Sequence, residues 1–227
     1  MHPPDQPVWA SLTTHHAALS LGGPLARRFA PDVNVFAAAR DNSPDALAAL
    51  AELTSPGAPV YVIQTTPVAI PPGCVALKEA RGVQMLATRD LAPLASMEGI
   101  DILTDEDAPE MLALAQLTEP GPFLPRTHCM GRFIGVRVDG RLVAMAGERM
   151  RLPGYTEVSG VCTHPDARGQ GLARRLSTAV GAAIQARGEQ AFLHAWRSNQ
   201  AAIALYESLG FEIRTEMFVA VIARNAA

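Results

Sequence analysis

The segment Val161-Cys162-Thr163-His164-Pro165-Asp166-Ala167-Arg168-Gly169-Gln170-Gly171-Leu172-Ala173 constrains this chain more than any other. A run with strand character leads into it, and beyond it Leu172, Leu176, Ala179, Val180, Ala183 and Ile184 recur with helical period. Strand, glycine turn and helix in that order create an anion site, because free backbone N–H groups and the positive end of the helix dipole converge on one spot. The amides of Gly169, Gln170, Gly171, Leu172 and Ala173 would hold a pyrophosphate there, with Arg168 adding charge. A P-loop needs Lys and then Ser or Thr after its second glycine, where Leu172-Ala173 stands. The dinucleotide fingerprint needs a third glycine where Arg174 stands, so neither nucleotide class fits. On the glycines alone, a plain tight turn entering a helix is as good a reading as a binding site.

The remaining elements give an α/β chain. Residues 1–97 carry strand patterns at 33–38, 60–65 and 83–88 and a helix at 45–53, started by Ser43 as N-cap and Pro44 in the first turn. Turns at Pro56-Gly57 and Pro71-Pro72-Gly73 separate them, and residues 91–99 form a linker. Two domains are expected, 1–97 without a catalytic motif and 98–227 with the glycine turn. The second opens with a strand at 100–103 and a helix capped by Thr104, whose first turn holds Asp105, Glu106 and Asp107 against the positive end of its dipole. Strands at 133–138 and 142–150 are joined by the hairpin signal Asp139-Gly140. A strand at 156–163, a helix at 172–187, a strand at 191–196, a helix at 199–209 stopped by Gly210, and one bent or two short strands at 211–224 complete the order.

A second motif lies downstream. Asn199, Ala202 and Tyr206 sit three and four apart on the expected helix, so they share one face, with a small residue where a ligand chain can pass. Arg168-Gly169-Gln170-Gly171-Leu172-Ala173 matches the R/Q-x-x-G-x-G/A signature of the GNAT superfamily of N-acetyltransferases. Asn199, Ala202, Leu205, Tyr206, Gly210 and Phe211 match its N-x-x-A-x-x-L-Y-x-x-x-G-F pattern. The C-terminal half resembles that family throughout, and the first half is compatible with a degenerate second copy of the fold, as in the two-part glycine-acyltransferase-like group.

The resemblance implies a mixed, mostly antiparallel twisted sheet flanked by helices. It implies acetyl-CoA as co-substrate, no metal, and an amine acceptor on a small molecule, amino acid or peptide. Coenzyme A would lie where two parallel strands splay, those ending near Thr163 and Trp196. It would be bound by the backbone of Val161, Cys162 and Thr163, by Arg168, Gly169, Gln170, Gly171, Leu172 and Ala173, and by Asn199, Ala202 and Tyr206. Amides near Val161 and Cys162 would stabilise the oxyanion, and Tyr206 would protonate the departing thiolate. Glu157 stands eleven residues before Arg168, where some protein-acetylating members carry their general base. Apolar neighbours would raise its pKa for that task, and Glu148 is the reserve. Direct transfer is favoured over an acetyl-Cys162 intermediate, because a mid-strand cysteine is usually a buried hydrophobe. His194 and Trp196 share a strand face that packs in the core or borders the cleft, and the loop 123–133 with Arg126, Thr127 and His128 is the expected acceptor contact. An acidic open groove would point to peptides or polyamines, and a closed pocket with arginine to amino acids.

A formal charge of −3 gives no basic face for nucleic acid, and no apolar run is long enough to span a bilayer. Three scattered cysteines and a start without signal-peptide pattern point to a cytoplasmic protein, monomeric or homodimeric. The rival function is a non-catalytic acyl-CoA sensor or interaction module.

Overall fold

The computed structural model describes residues 2–55 and 57–225. Met1, Pro56, Ala226 and Ala227 lie outside them, so the first residue of the expected Pro56-Gly57 turn and the outer ends of both expected domains are not described. The first half contains α1 (Pro7–Leu12), β1 (Ser20–Gly22), β2 (Ala26–Phe29), β3 (Ala37–Ala39), α2 (Pro44–Glu52), β4 (Val60–Gln64) and β5 (Cys74–Ala87). The second contains β6 (Asp101–Leu103), α3 (Ala108–Thr118), β7 (Phe133–Val138), β8 (Arg141–Leu152), β9 (Tyr155–Thr163), α4 (Leu172–Ala186), β10 (Gln190–Trp196), α5 (Gln200–Leu209) and β11 (Phe211–Arg224).

Local signals set the boundaries. Ser43 Oγ accepts the Ala46 amide at 3.4 Å to start α2, and the Asp107 carboxylate accepts the Thr104 amide at 2.7 Å ahead of α3. Asp139 and Gly140 both have positive φ, 50° and 77°, the geometry a two-residue hairpin needs between β7 and β8. β11 is one strand, bent by irregularities between Ile213 and Thr215 and between Val221 and Ile222. In the first half, β2 and β3 replace the single strand expected at 33–38. Their Ala- and Arg-rich stretches carry no β-branched pattern.

Eight strands form one sheet in the order β4-β11-β5-β10-β9-β8-β7-β6. Within it β9 and β10 run parallel, and the other pairings are antiparallel. The sheet runs across the boundary expected between residues 97 and 98: β5, from the first half, lies between β10 and β11 of the second. β5 begins at Cys74, nine residues before the expected start at Val83, a stretch with no strand signal in the sequence because the exposed residues 75–79 show no apolar alternation. β1, β2 and β3 make a small second sheet, tied to the large one by a bridge from Phe36 to Tyr61.

The alternation of strand side chains divides the core. On one face α4 buries Leu176, Val180 and Ile184 against Val83, Ala144, Val158 and Leu193. On the other, Val8, Leu12 and Phe29 of the first half pack on Met150, Leu152, Phe192 and Met217, while α3 places Met111 and Leu114 against Met145 and Cys162. Both major clusters draw residues from both halves. Met85 on β5 is fully buried, and Met85→Ala should cost about 2–5 kcal/mol. The two tryptophans lie on α1 and β10. Urea melts of Trp9→Phe and Trp196→Phe versions should show the same lowered midpoint from either remaining fluorophore; separate midpoints would mark two independent units.

Candidate active site

β9 and β10 pair only at Tyr155 with Gln190, Thr156 with Ala191 and Glu157 with Phe192. Beyond that point β10 stays on β5 as far as Trp196 and β9 stays on β8 as far as Thr163, so the two strands part. A bulge helps to turn β9 away: Gly160 and Val161 oppose Ala146 alone, and Gly160 has φ 62°. The gap opens a cleft of about 660 Å³, the size of a small-molecule site.

At one end, Arg168, Gly169, Gly171, Leu172, Ala173 and Arg174 line the cleft. Gly169 and Gly171 have φ of 79° and 74° with open space where a Cβ would stand, so conformation rather than crowding calls for glycine. No side chain caps α4. The amides of Gly169, Gln170, Gly171, Leu172 and Ala173 find no acceptor among the described residues, which leaves the orphan donors and dipole end that an anion needs. Gln170, expected at the cofactor, is not part of the lining.

Val161, Cys162 and Thr163 line the middle, opposite Ala202, Leu205 and Tyr206 of α5. Asn199 also lines it, but its Oδ1 accepts the Ala202 amide at 3.1 Å, so the side chain serves as the α5 cap. Burial pushes the Tyr206 phenol up to about 12. Ser177 beside it offsets this in part, although its buried Oγ has no well-formed hydrogen bond among the described residues. Burial likewise raises the Cys162 thiol to about 11, which leaves almost no thiolate at neutral pH.

The far end is built by residues that the sequence did not single out: Phe36, Tyr61, Ile63 and Gly82 of the first half, Val219 of β11, and Arg149 of β8. His194 borders the cleft here, as does Trp196, which is 40% exposed. The loop 123–133 is not part of this lining. Arg126 pairs with Asp32 at 3.1 Å and the Thr127 hydroxyl donates to the Val33 carbonyl at 2.6 Å, so the loop docks on the first half instead. His128 pairs with Asp105 at 3.3 Å, with the Cys129 thiol 3.6 Å away. The second ring nitrogen of His128 is buried without a partner, whereas a metal-bound imidazole nearly always donates there; the trio therefore carries no metal assignment.

The expectation that apolar neighbours raise the pKa of Glu157 is not met. Glu157 does not line the cleft, is fully buried, and its neighbours are charged rather than apolar. Arg149 donates to it through Nε at 2.8 Å and Nη2 at 2.7 Å, the Met150 amide donates at 3.2 Å, and His194 Nδ1 lies at 2.7 Å. Burial alone would raise its pKa, but the Arg149 guanidinium and then His194 outweigh it and hold the carboxyl at about 2. A carboxylate so engaged has no lone pair directed at an amine. The reserve, Glu148, is bound by Arg187 at 2.8 Å and also lies outside the lining.

Glu157 belongs to a row of polar side chains crossing five adjacent strands. Arg214 on β11 donates to Gln84 Oε1 on β5 at 2.7 Å, and Gln84 Nε2 meets His194 Nε2 on β10 at 3.1 Å. His194 leads to Glu157 on β9 and so to Arg149 on β8. The row begins and ends at irregular positions: Arg214 stands in the β11 bulge, and Arg149 and Met150 together oppose Glu157. Gln84 Nε2 also donates to the Pro4 carbonyl at 2.9 Å, and Asp5 pairs with Arg214. With both ends of the Gln84 amide fixed, His194 must accept at Nε2 and donate to Glu157 from Nδ1.

The family model described as FR47-like protein matches residues 134–219. A solved structure from Novosphingobium aromaticivorans, named as an acetyltransferase of the GNAT family, is 45% identical over 100% of both chains, with a TM-score of 0.93. A GCN5-related N-acetyltransferase from Kribbella flavida shares the fold at 19% identity, covering 94% of this chain and 93% of its own, with a TM-score of 0.61. No curated protein sequence matches. On the full-length relationship at 45% identity, the chain belongs to the GNAT family of acetyltransferases.

Proposed function

We propose that the protein moves an acetyl group from acetyl-CoA directly to the primary amine of a small molecule, amino acid or peptide. One observation carries this reading: the uncapped amides at the start of α4 open into the same cleft as the parted edge of β9 and the Tyr206 side chain. The α4 amides and Arg168 fit the diphosphate of coenzyme A, and the backbone of Val161 and Thr163 fits its pantetheine arm in the manner of an added strand. The amides near Val161 and Cys162 are the donors for the oxyanion.

Tyr206, held up at about 12, keeps its proton at neutral pH. An ordinary thiol titrates at about 8.5, so full proton transfer to sulfur is uphill and the phenol acts as a hydrogen-bond donor to the departing thiolate. Glu119, which is exposed, is the only carboxylate in the lining among the described residues; the amine gives its proton to solvent water beside it and the thiolate, once released from the Tyr206 hydrogen bond, takes one from solvent, so amide and free thiol result. Glu157 acts through Arg149 as a positioning residue. The first half completes the acceptor end through Phe36, Tyr61 and Ile63. No helix among the described residues is long and apolar enough to cross a membrane, and the cysteines are free, which supports a cytoplasmic setting.

Incubation with acetyl-CoA and an amine panel should release free thiol; binding without release would mark a sensor instead. Tyr206→Phe should lower kcat about 10²-fold with the Kd for coenzyme A unchanged, and an unaltered kcat would remove the phenol from the reaction. For Glu157, the folded pKa of about 2 lies below the ordinary value of 4.5, so its stabilisation is present above pH 4.5 and is lost as pH falls toward 2. Glu157→Gln should therefore destabilise by about 3–5 kcal/mol at pH 7, with the difference shrinking in acid melts. The same variant should keep any acidic limb of the pH–rate profile above pH 5 where it is; loss of that limb would restore Glu157 as the base.

A further inference from the structure

Arg149 is an unusual residue to find in the acceptor end of the cleft. Its side chain is only 10% exposed, and two of its three guanidinium nitrogens are committed to Glu157. The third, Nη1, makes no hydrogen bond among the described residues and is not one of the buried polar atoms left without a partner, and Arg149 lines both the cleft and a small cavity beside Phe123 and Phe133. The guanidinium carbon lies 5.0 Å from the centre of the Phe36 ring, and Tyr61, Ile63 and Val219 form the walls of the same region. A charged donor facing an apolar chamber is matched by an anion attached to an apolar body.

We propose that Arg149 Nη1 anchors a carboxylate on the acceptor, and that the acceptor is an amino acid with an apolar side chain, acetylated on its α-amine. The proposal rests on the acetyl-transfer reading and narrows its acceptor. A carboxylate fits better than a phosphate because the charge of Arg149 is already half spent on Glu157. The other arginines in the lining, Arg168 and Arg174, belong to the glycine-turn end. The polar row from Arg214 to Glu157 holds the guanidinium in one orientation, so little side-chain freedom is lost when the anion arrives.

The test compares matched acceptors, L-phenylalanine with 2-phenylethylamine and L-leucine with 3-methylbutylamine, by thiol release from acetyl-CoA. The wild type should favour each amino acid by about 10- to 100-fold in kcat/KM. Because Arg149→Met alone would strand a buried carboxylate, the informative variant is the neutral pair Arg149→Met with Glu157→Gln, which removes both charges together. In it the KM for the amino acids should rise toward that of the amines while the affinity for acetyl-CoA holds. Equal use of amine and amino acid by the wild type, or a preference that survives in the double variant, overturns the proposal. Should no acceptor release thiol, acetyl transfer falls instead. Calorimetry of L-phenylalanine binding to wild type and double variant, with coenzyme A present, then decides the Arg149 contact alone: tenfold or greater weakening supports it and equal affinity ends it.

Discussion

A carboxylate with no access to water must be answered by the protein, and the answer to Glu157 organises the centre of this molecule. It draws the fork of Arg149 across from β8, takes the amide that the bulge at Met150 sets free, and fixes the ring of His194. The last paired position of β9 and β10 is Glu157 with Phe192, so the strands part immediately beyond a carboxylate that takes four hydrogen bonds. The cleft therefore begins at a rigid point. Its two ends differ in kind: backbone amides at the start of α4, and side chains, many from the first half, at the other.

This division explains how the two halves of the chain share the work. The glycine turn needs only local sequence, because positive φ at Gly169 and Gly171 and an uncapped helix are set within a few residues. The far end needs long-range contacts, since Phe36 reaches the cleft through its bridge to Tyr61, and Gly82 lies on the strand inserted beside β10. On the proposed function, the end of the cleft that takes the acceptor is built largely by parts of the chain far from the glycine turn.

The same contrast governs how much could be read from the sequence. The strand–turn–helix segment, the Asp139-Gly140 hairpin and the face carrying Ala202 and Tyr206 were legible because each rests on short-range periodicity or turn chemistry. The insertion of β5 between β10 and β11 was not, because strand order depends on pairings over a hundred residues apart. Glu157 was singled out from its spacing, yet its behaviour is set by Arg149 and His194, and only the three-dimensional register brings those three together. Arg149 carried one faint signal, its place among Glu148, Arg149 and Arg151 after the apolar run of β8. That signal could not distinguish an ion pair from a surface position.

The insertion of β5 also bears on biosynthesis. Its two neighbours, β10 and β11, lie more than a hundred residues downstream, so β5 leaves the ribosome long before either flank exists. Until then its backbone donors and acceptors stand open along fourteen residues, an invitation to pairing with another nascent chain. Lys78, Glu79 and Arg81 on its first half are the kind of charges that discourage such encounters, and they occupy the part of the strand that stays nearest to solvent in the finished molecule.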